Sequence, residues 1–331
     1  MSDPTPPSTR PRARGSFRAL VHELLAAEFP DAEAGWIARH AEDVVGRVRT
    51  ELGTGALPSD ADLRRGELRG ASLAGADLAR AHLSGARLAG TDLTRADLTG
   101  TDLTGAFLDG ATLVEAHLGA VSAAGCRLAG ADLSGADAVR AVLTGADLTG
   151  ARLVATRLDG ATLDVAALQG AVLTRAVLTS ARLRHARLSH AVAEDCLLDG
   201  ADLRDADLAG ARLARARLTR ARLDRAALLG TDLHEADLSH AGLPGARLTG
   251  ARLTLATLAG ADLRETDLTS ADLTGCRLAG TILDGAVWSD GTRWPEEDAA
   301  AVRRRSDRLG PGSYRVRPPG PSERFSPSLS R

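Results

Sequence analysis

Residue types that could do chemistry are plentiful in this 331-residue chain, and their spacing decides what they can be. Paired carboxylates could serve as general acid and base, and His with Cys or Asp could hold a metal ion. Most of the Asp residues between 61 and 290, 15 of 24, however, fall at one fixed position of a five-residue block, as Asp77, Asp97 and Asp102 do. A carboxylate that returns at that interval belongs to a repeat rather than to a catalytic pair. Of the eight His, His185 and His190 close two consecutive blocks, and His234 and His240 lie well beyond them. No Cys/His/carboxylate cluster has ligand spacing, and no phosphate-cradling glycine loop, nucleophile elbow or HExxH is present. Three cysteines, Cys126, Cys196 and Cys276, are too few for a disulfide framework. The sequence therefore predicts no enzyme, no metal and no cofactor.

The blocks themselves are the strongest signal. From Ala61 the chain reads ADLRR GELRG ASLAG ADLAR AHLSG, and the register holds to Asp290 through 46 uninterrupted blocks. Leu stands at the centre of every block except at Ala123, Ala138, Ala193 and Trp288. Two positions before it stands Ala or another small residue, the three cysteines included. Periodicity of this kind outranks every local signal.

A period of five excludes both regular elements. In an α-helix five residues rotate about 500°, so successive Leu would spread around the cylinder. In a straight strand an odd spacing would send alternate Leu to opposite faces. If every block buries its Leu alike, the chain must turn once per block. A coil of short straight sides does this, with Leu and the preceding small residue inward. Stacked coils then pair their backbones at about 4.8 Å along the axis. Gly at the last position, as at Gly70, Gly75 and Gly85, suits a corner that needs an unusual φ. Each buried Leu contributes about 1.5–3 kcal/mol before chain entropy is subtracted. A core can therefore form although only 2% of residues are aromatic.

Blocks such as Ala76-Asp77-Leu78 and Ala201-Asp202-Leu203 closely resemble the A(D/N)LXX consensus of the pentapeptide-repeat family. The resemblance covers residues 61–290. It implies an all-β solenoid, a right-handed quadrilateral β-helix with four blocks per turn, built as a rod on the order of 55 Å long. On that geometry Cys196 and Cys276 share a side but lie about 19 Å apart, beyond the reach of a disulfide.

The ends differ in character. Residues 1–15 are Pro/Arg-rich and read as disordered. Over 16–55, Leu20, Val21, Leu24 and Leu25 and then Trp36, Ile37, Val44, Val45 and Val48 form helical stripes on either side of Pro30. These helices are either an N-terminal α-helical cap over the first coil or a dimerisation or adaptor hairpin. Over 291–310 the sequence predicts a closing turn with Trp288 and Trp294 over the core. A short C-terminal helix from Pro295 follows, with Arg303, Arg304 and Arg305 in its basic second half. Residues 311–331, rich in Pro, Ser, Gly and Arg, read as a disordered tail.

The surface bears on partners. All 41 basic residues are Arg, an Ala/Gly/Leu/Asp/Arg bias that points to a high-GC bacterial genome, and net charge is −2. That balance predicts no general attraction to nucleic acid or acidic membrane. The absence of a secretory apolar segment predicts a cytoplasmic protein. Some members of the family resembled here occupy the DNA channel of gyrase as acidic DNA mimics and protect it from fluoroquinolones. Mimicry needs rows of anions, yet residues 141–230 carry thirteen Arg against ten acids. The densest basic patch is Arg212, Arg215, Arg217, Arg220, Arg222 and Arg225. At four blocks per coil, Asp202 stacks between Arg182 and Arg222 and Asp232 between Arg212 and Arg252, which predicts ion pairs between coils. The outward second position is normally polar, but Val172, Val177, Val192 and Leu197 occupy it in mid-chain. These four form the candidate interface for another protein, a second copy of the chain among the options. The leading expectation is a non-catalytic scaffold; a gyrase-binding mimic is the alternative.

Overall fold

A computed structural model of the chain describes residues 63–66 and 68–318. The expected N-terminal segments, 1–15 and 16–55, lie outside the described residues, as does the tail from 319. Within the repeats each second-position residue pairs in parallel with its counterpart twenty residues later, from Ser72 with Asp92 to Asp267 with Val287. Twenty residues per coil is four blocks per coil, so the rod has four walls. Wall A carries Val142, Thr162 and Arg182 in one column, and wall B carries Asp147, Ala167 and Arg187. Val172 and Val192 stand on wall C, and Val177 and Leu197 on wall D.

The backbone accounts for four of the five N–H groups in each block. Leu73 N–H donates to Asp92 O at 2.7 Å, Gly75 N–H to Thr94 O at 2.8 Å, and Asp92 N–H to Ala71 O at 2.9 Å, all between coils. Ala76 N–H closes the corner onto Leu73 O at 3.1 Å. The fourth-position N–H is left over, and the second-position Asp takes it. Thr94 N–H donates to Asp92 Oδ1 at 3.0 Å, Thr99 N–H to Asp97 Oδ1 at 2.9 Å, and Thr149 N–H to Asp147 Oδ1 at 3.0 Å. The recurring carboxylate is thus the acceptor of a turn, which explains its period without any catalytic role.

Inside, Leu and Ala form one continuous core along the rod, with Leu83, Leu148, Leu203 and Leu263 fully buried. Thr is accepted at the inward small position because its hydroxyl reaches the coil below: Thr91 donates to Leu68 O and Thr101 to Leu78 O, both at 2.7 Å. Cys276 Sγ makes the same contact with Leu253 O at 2.8 Å. Where Ala193 replaces Leu, a cavity of about 10 Å³ remains among Leu173, Leu188, Cys196 and Leu213.

The fifth positions from Arg65 to Gly285 are left-handed, with φ 67° at Gly75, 57° at Arg95 and 58° at His190. At Gly210 a side chain would collide, since its Cβ would lie 2.7 Å from the Nδ1 of His190 one coil below. A bulky corner residue can lean along the rod axis because the next corner is bare.

The C-terminal end is closed by a small sheet and a helix. Strand β1 (Val287–Ser289) continues the last coil, helix α1 (Glu296–Arg304) follows, and β2 (Ser306–Gly310) and β3 (Ser313–Val316) complete an antiparallel sheet of order β1-β3-β2. Trp288, at the centre of its block, is buried beneath Trp294 (centroids 6.0 Å, edge-on) and Tyr314 (4.4 Å, stacked). The expectation of disorder from 311 onward is corrected over 311–318. Tyr314 stacks on Trp288 and Val316 is buried, and these contacts hold a segment whose composition alone reads as a tail. Helix α1 follows Pro295, with three acids in its first turn and Arg303 and Arg304 in its last.

Two substitutions four residues apart test this assignment of inside and outside. Leu143 is buried, so Leu143→Asp should abolish soluble expression, because an unpaired buried carboxylate costs several kcal/mol. Asp147→Asn keeps the oxygen that accepts the Thr149 N–H and should change stability by no more than about 0.5 kcal/mol in thermal melts. Equal tolerance of both would overturn the register.

Candidate protein-binding site

The four apolar residues expected at an interface stack as the register requires: Val172 pairs with Val192 on wall C, and Val177 with Leu197 on wall D. Two features differ from the expectation. All four are half-buried rather than fully exposed, because coils above and below cover their flanks. The corner between the walls carries Arg175 and Asp195, and Asp195 is gripped by Arg215 through bonds of 2.8 and 3.0 Å. The four therefore form two apolar strips on adjoining walls, divided by a charged edge. They belong to an unusual stretch. In the coil 161–180 the outward second positions are Thr162, Ala167, Val172 and Val177, none of them charged.

Sequence reasoning missed what borders these strips. Along wall C the column runs Asp132, Arg152, Val172, Val192, Arg212, Asp232, and along wall D it runs Asp137, Arg157, Val177, Leu197, Arg217, Asp237. Wall C reads the same upward and downward, and wall D does so at the same height except that Leu197 stands where a second Val would. The signal was available in the second position taken at intervals of twenty. Other exposed apolar side chains stand apart from the strips, among them Val165 at 58% and Leu255 at 55% exposure. Both occupy left-handed corners, where a side chain has few neighbours.

The basic stretch is largely neutralised. Arg212 binds Glu194 at 2.5 Å, Arg215 binds Asp195 at 2.8 Å, Arg217 binds Asp199 at 2.7 Å and Arg225 binds Asp205 at 2.8 Å. Arg222 lies 4.0 Å from Asp224, and Arg220 is exposed at a corner. The predicted stacking of Asp202 between Arg182 and Arg222 is present, but the carboxylate is taken by Arg204 of its own block at 2.6 Å. Arg182 turns instead to Asp164, a buried acid that Arg184 also binds. Asp232 does pair between coils, with Arg252 at 3.4 Å. An Arg stem is long enough to choose among acids at several offsets, so column neighbours are not automatically ion pairs.

No group of three metal-ligating side chains occurs among the described residues. The thiols of Cys126, Cys196 and Cys276 are free and buried, and burial pushes each up to about 12. A thiol so disfavoured as thiolate is a core filler and not a nucleophile. Among the described residues no helix is long and apolar enough to cross a membrane.

A profile of the family described as pentapeptide repeats matches the chain over residues 59–119 and 126–289. The chain belongs to the pentapeptide-repeat family. Its fold is accordingly a right-handed β-helix. Among solved pentapeptide-repeat proteins it is 34% identical to HetL, involved in heterocyst differentiation regulation in the cyanobacterium Nostoc sp. strain PCC 7120. That match covers 78% of this chain and 98% of HetL, with a TM-score of 0.37. Rfr23 of the cyanobacterium Cyanothece 51142 is 42% identical over 28% of this chain and 63% of its own, with a TM-score of 0.28. QnrB1, a plasmid-mediated fluoroquinolone resistance protein, is 21% identical over 66% of this chain and 94% of its own, with a TM-score of 0.39. A search of the curated proteins gave no match.

The ion pairs set a pH dependence. Hydrogen bonds from Arg215, Arg204 and Arg225 hold Asp195, Asp202 and Asp205 below the usual carboxylate range, and bonds from Thr149 do the same for Asp147. A carboxylate lowered in the folded state contributes stability above its unfolded value of about 3.9, and that contribution is lost as pH falls through the folded value. The urea midpoint should hold from pH 7 to about pH 5 and then fall steeply below about pH 4. Asp195→Asn with Asp205→Asn should flatten that fall. An unchanged midpoint at pH 3 would show that these pairs contribute nothing.

Proposed function

We propose that this pentapeptide-repeat protein is a non-catalytic scaffold that binds another protein through its side walls. One observation carries the reading: the mid-rod coil 161–180 has lost all charge from its outward second positions, and two adjoining walls each present a stacked apolar pair there. Apolar area removed from water contributes about 25 cal/mol per Å², so walls that replace Asp or Arg with Val or Leu gain only when covered. The family is generally built of non-enzymatic repeats, and among the described residues no group of three side chains could hold a metal ion and the three cysteine thiols are buried. A cytoplasmic setting suits this reading.

Val177→Asp with Leu197→Asp should abolish association with the native partner in a pull-down from the host, and should leave the melting temperature within about 2 °C. Retention of every wild-type partner would remove this wall from the site.

Gyrase mimicry fits less well, because wall C alternates in sign over its last coils: Arg212, Asp232, Arg252, Asp272 and Arg293 follow one another there. A duplex presents one anion row after another, and an alternating column cancels its own field within one Debye length. At micromolar concentration the protein should neither inhibit gyrase supercoiling nor relieve its inhibition by a fluoroquinolone. Clear relief would place the mimic first.

A further inference from the structure

Wall C holds more than an apolar strip. Arg152 and Arg212 bracket Val172 and Val192, and beyond them stand Asp132 and Asp232. Arg152 lies 3.5 Å from Asp132 and Arg212 lies 2.5 Å from Glu194. The guanidinium side chains are 57% and 62% exposed, whereas Asp132 and Glu194 are 33% and 24% exposed. The outermost groups around the strip are therefore cationic. A guanidinium has five N–H donors in a fixed fork, so one carboxylate beneath it leaves donors for a second from outside. The inner acid also fixes the direction in which the fork points.

The spacing selects the shape of what can lie there. Coils repeat at about 4.8 Å, so the ladder Arg152, Val172, Val192, Arg212 falls at roughly 0, 5, 10 and 14 Å along the axis. An α-helix rising 1.5 Å per residue presents side chains at i, i+3, i+7 and i+10 at roughly 0, 4.5, 10.5 and 15 Å. An extended strand presents one side chain per face every ~6.6 Å and falls out of step after one coil. On the side toward wall B the corner is Gly150 and then Gly170, with nothing within 4 Å of either Cβ position, so the approach is open beside Arg152 and Val172; the next corner, beside Val192, is the exposed His190, whose ring leans over Gly210. On the other side the corner pair Asp195–Arg215 forms a ridge. Val154 and Thr174, in the neighbouring column of the same wall, are half-buried and uncharged.

A second copy of the chain is a poor occupant. Face to face and antiparallel about the centre of the strip, Arg152 meets Arg212 of the copy. Face to face and parallel, each Arg meets itself. Like charges oppose in both arrangements.

We propose that wall C at mid-rod is the docking face for an amphipathic α-helix of a partner protein. The helix lies along the rod axis, sets two apolar residues against Val172 and Val192, and places a carboxylate at each end against Arg152 and Arg212. This rests on the scaffold reading and names its partner's chemistry. The palindromic column makes the site indifferent to helix direction, since an Arg waits at either end.

The probe is a stapled helical peptide with Glu, Leu, Leu and Glu at i, i+3, i+7 and i+10, labelled for fluorescence anisotropy and titrated into the full chain. Its control replaces both Glu by Lys. Saturable binding of the Glu peptide is expected, weakened at least tenfold by Val172→Asp with Val192→Asp and at least tenfold by Arg152→Glu with Arg212→Glu. The Arg double variant should in turn prefer the Lys peptide, a swap that loss of folding cannot produce. The proposal is overturned if the Glu peptide fails to bind at millimolar concentration, or if Glu and Lys peptides bind wild type alike. It is equally overturned if sedimentation shows a dimer that Val192→Asp dissolves, which would assign the wall to a second copy. If the native partner is captured by the Arg double variant but lost with Val177→Asp and Leu197→Asp, the helix proposal fails while the scaffold reading stands.

Discussion

The backbone pairing between a residue and its counterpart twenty positions on governs everything else in this molecule. Once Leu73 N–H and Gly75 N–H are committed to the coil above and Asp92 N–H to the coil below, each block has one turn, one inward Leu and one outward pair of side chains. The remaining fourth-position N–H has no backbone partner, and the second-position Asp exists to receive it. Core and surface are thus not separate designs. The same ladder that buries Leu fixes the height and wall of every charged group.

Because the walls are columns, the electrostatics are those of ladders with adjustable rungs. Guanidinium groups reach acids eighteen residues back, as Arg217 reaches Asp199, twenty back, as Arg225 reaches Asp205, or two back, as Arg204 reaches Asp202. Exposed pairs of this kind contribute a few tenths of a kcal/mol to about 1 kcal/mol each. Their larger effect is to level the field along the stretch 194–225, where the Arg residues are densest. Mid-rod, where second-position charge disappears, is the place where wall C and wall D differ most from their surroundings.

Much of this was legible in the sequence because the repeat is regular. The five-residue spacing placed Leu143 and its kin inside, the twenty-residue coil stacked Val172 on Val192, and Pro295 with its acids announced a helix. Three things escaped. Asp202 lies beside two column Arg but prefers the one in its own block, a choice made by side-chain reach rather than register. The half-burial of Leu197 comes from neighbouring coils and is invisible in a one-dimensional pattern. Strand β3 is held by Tyr314 and Val316 meeting the rod end, and its Pro/Gly/Ser/Arg surroundings disguise it. Periodic information survives translation into structure; individual long-range contacts do not announce themselves.

The four-block coil also makes the protein a screw with a coarse thread. Removing or adding twenty residues shortens or lengthens the rod by one turn and leaves every wall aligned. Removing five leaves each Leu inside, yet rotates everything downstream by a quarter-turn, carrying Arg212 and Asp232 from the wall of Val172 to its neighbour. The core would not register such an event, whereas any surface spanning several coils would be cut in two. Insertions and deletions among its descendants should therefore be filtered in steps of one block by folding, and in steps of four by whatever the walls recognise.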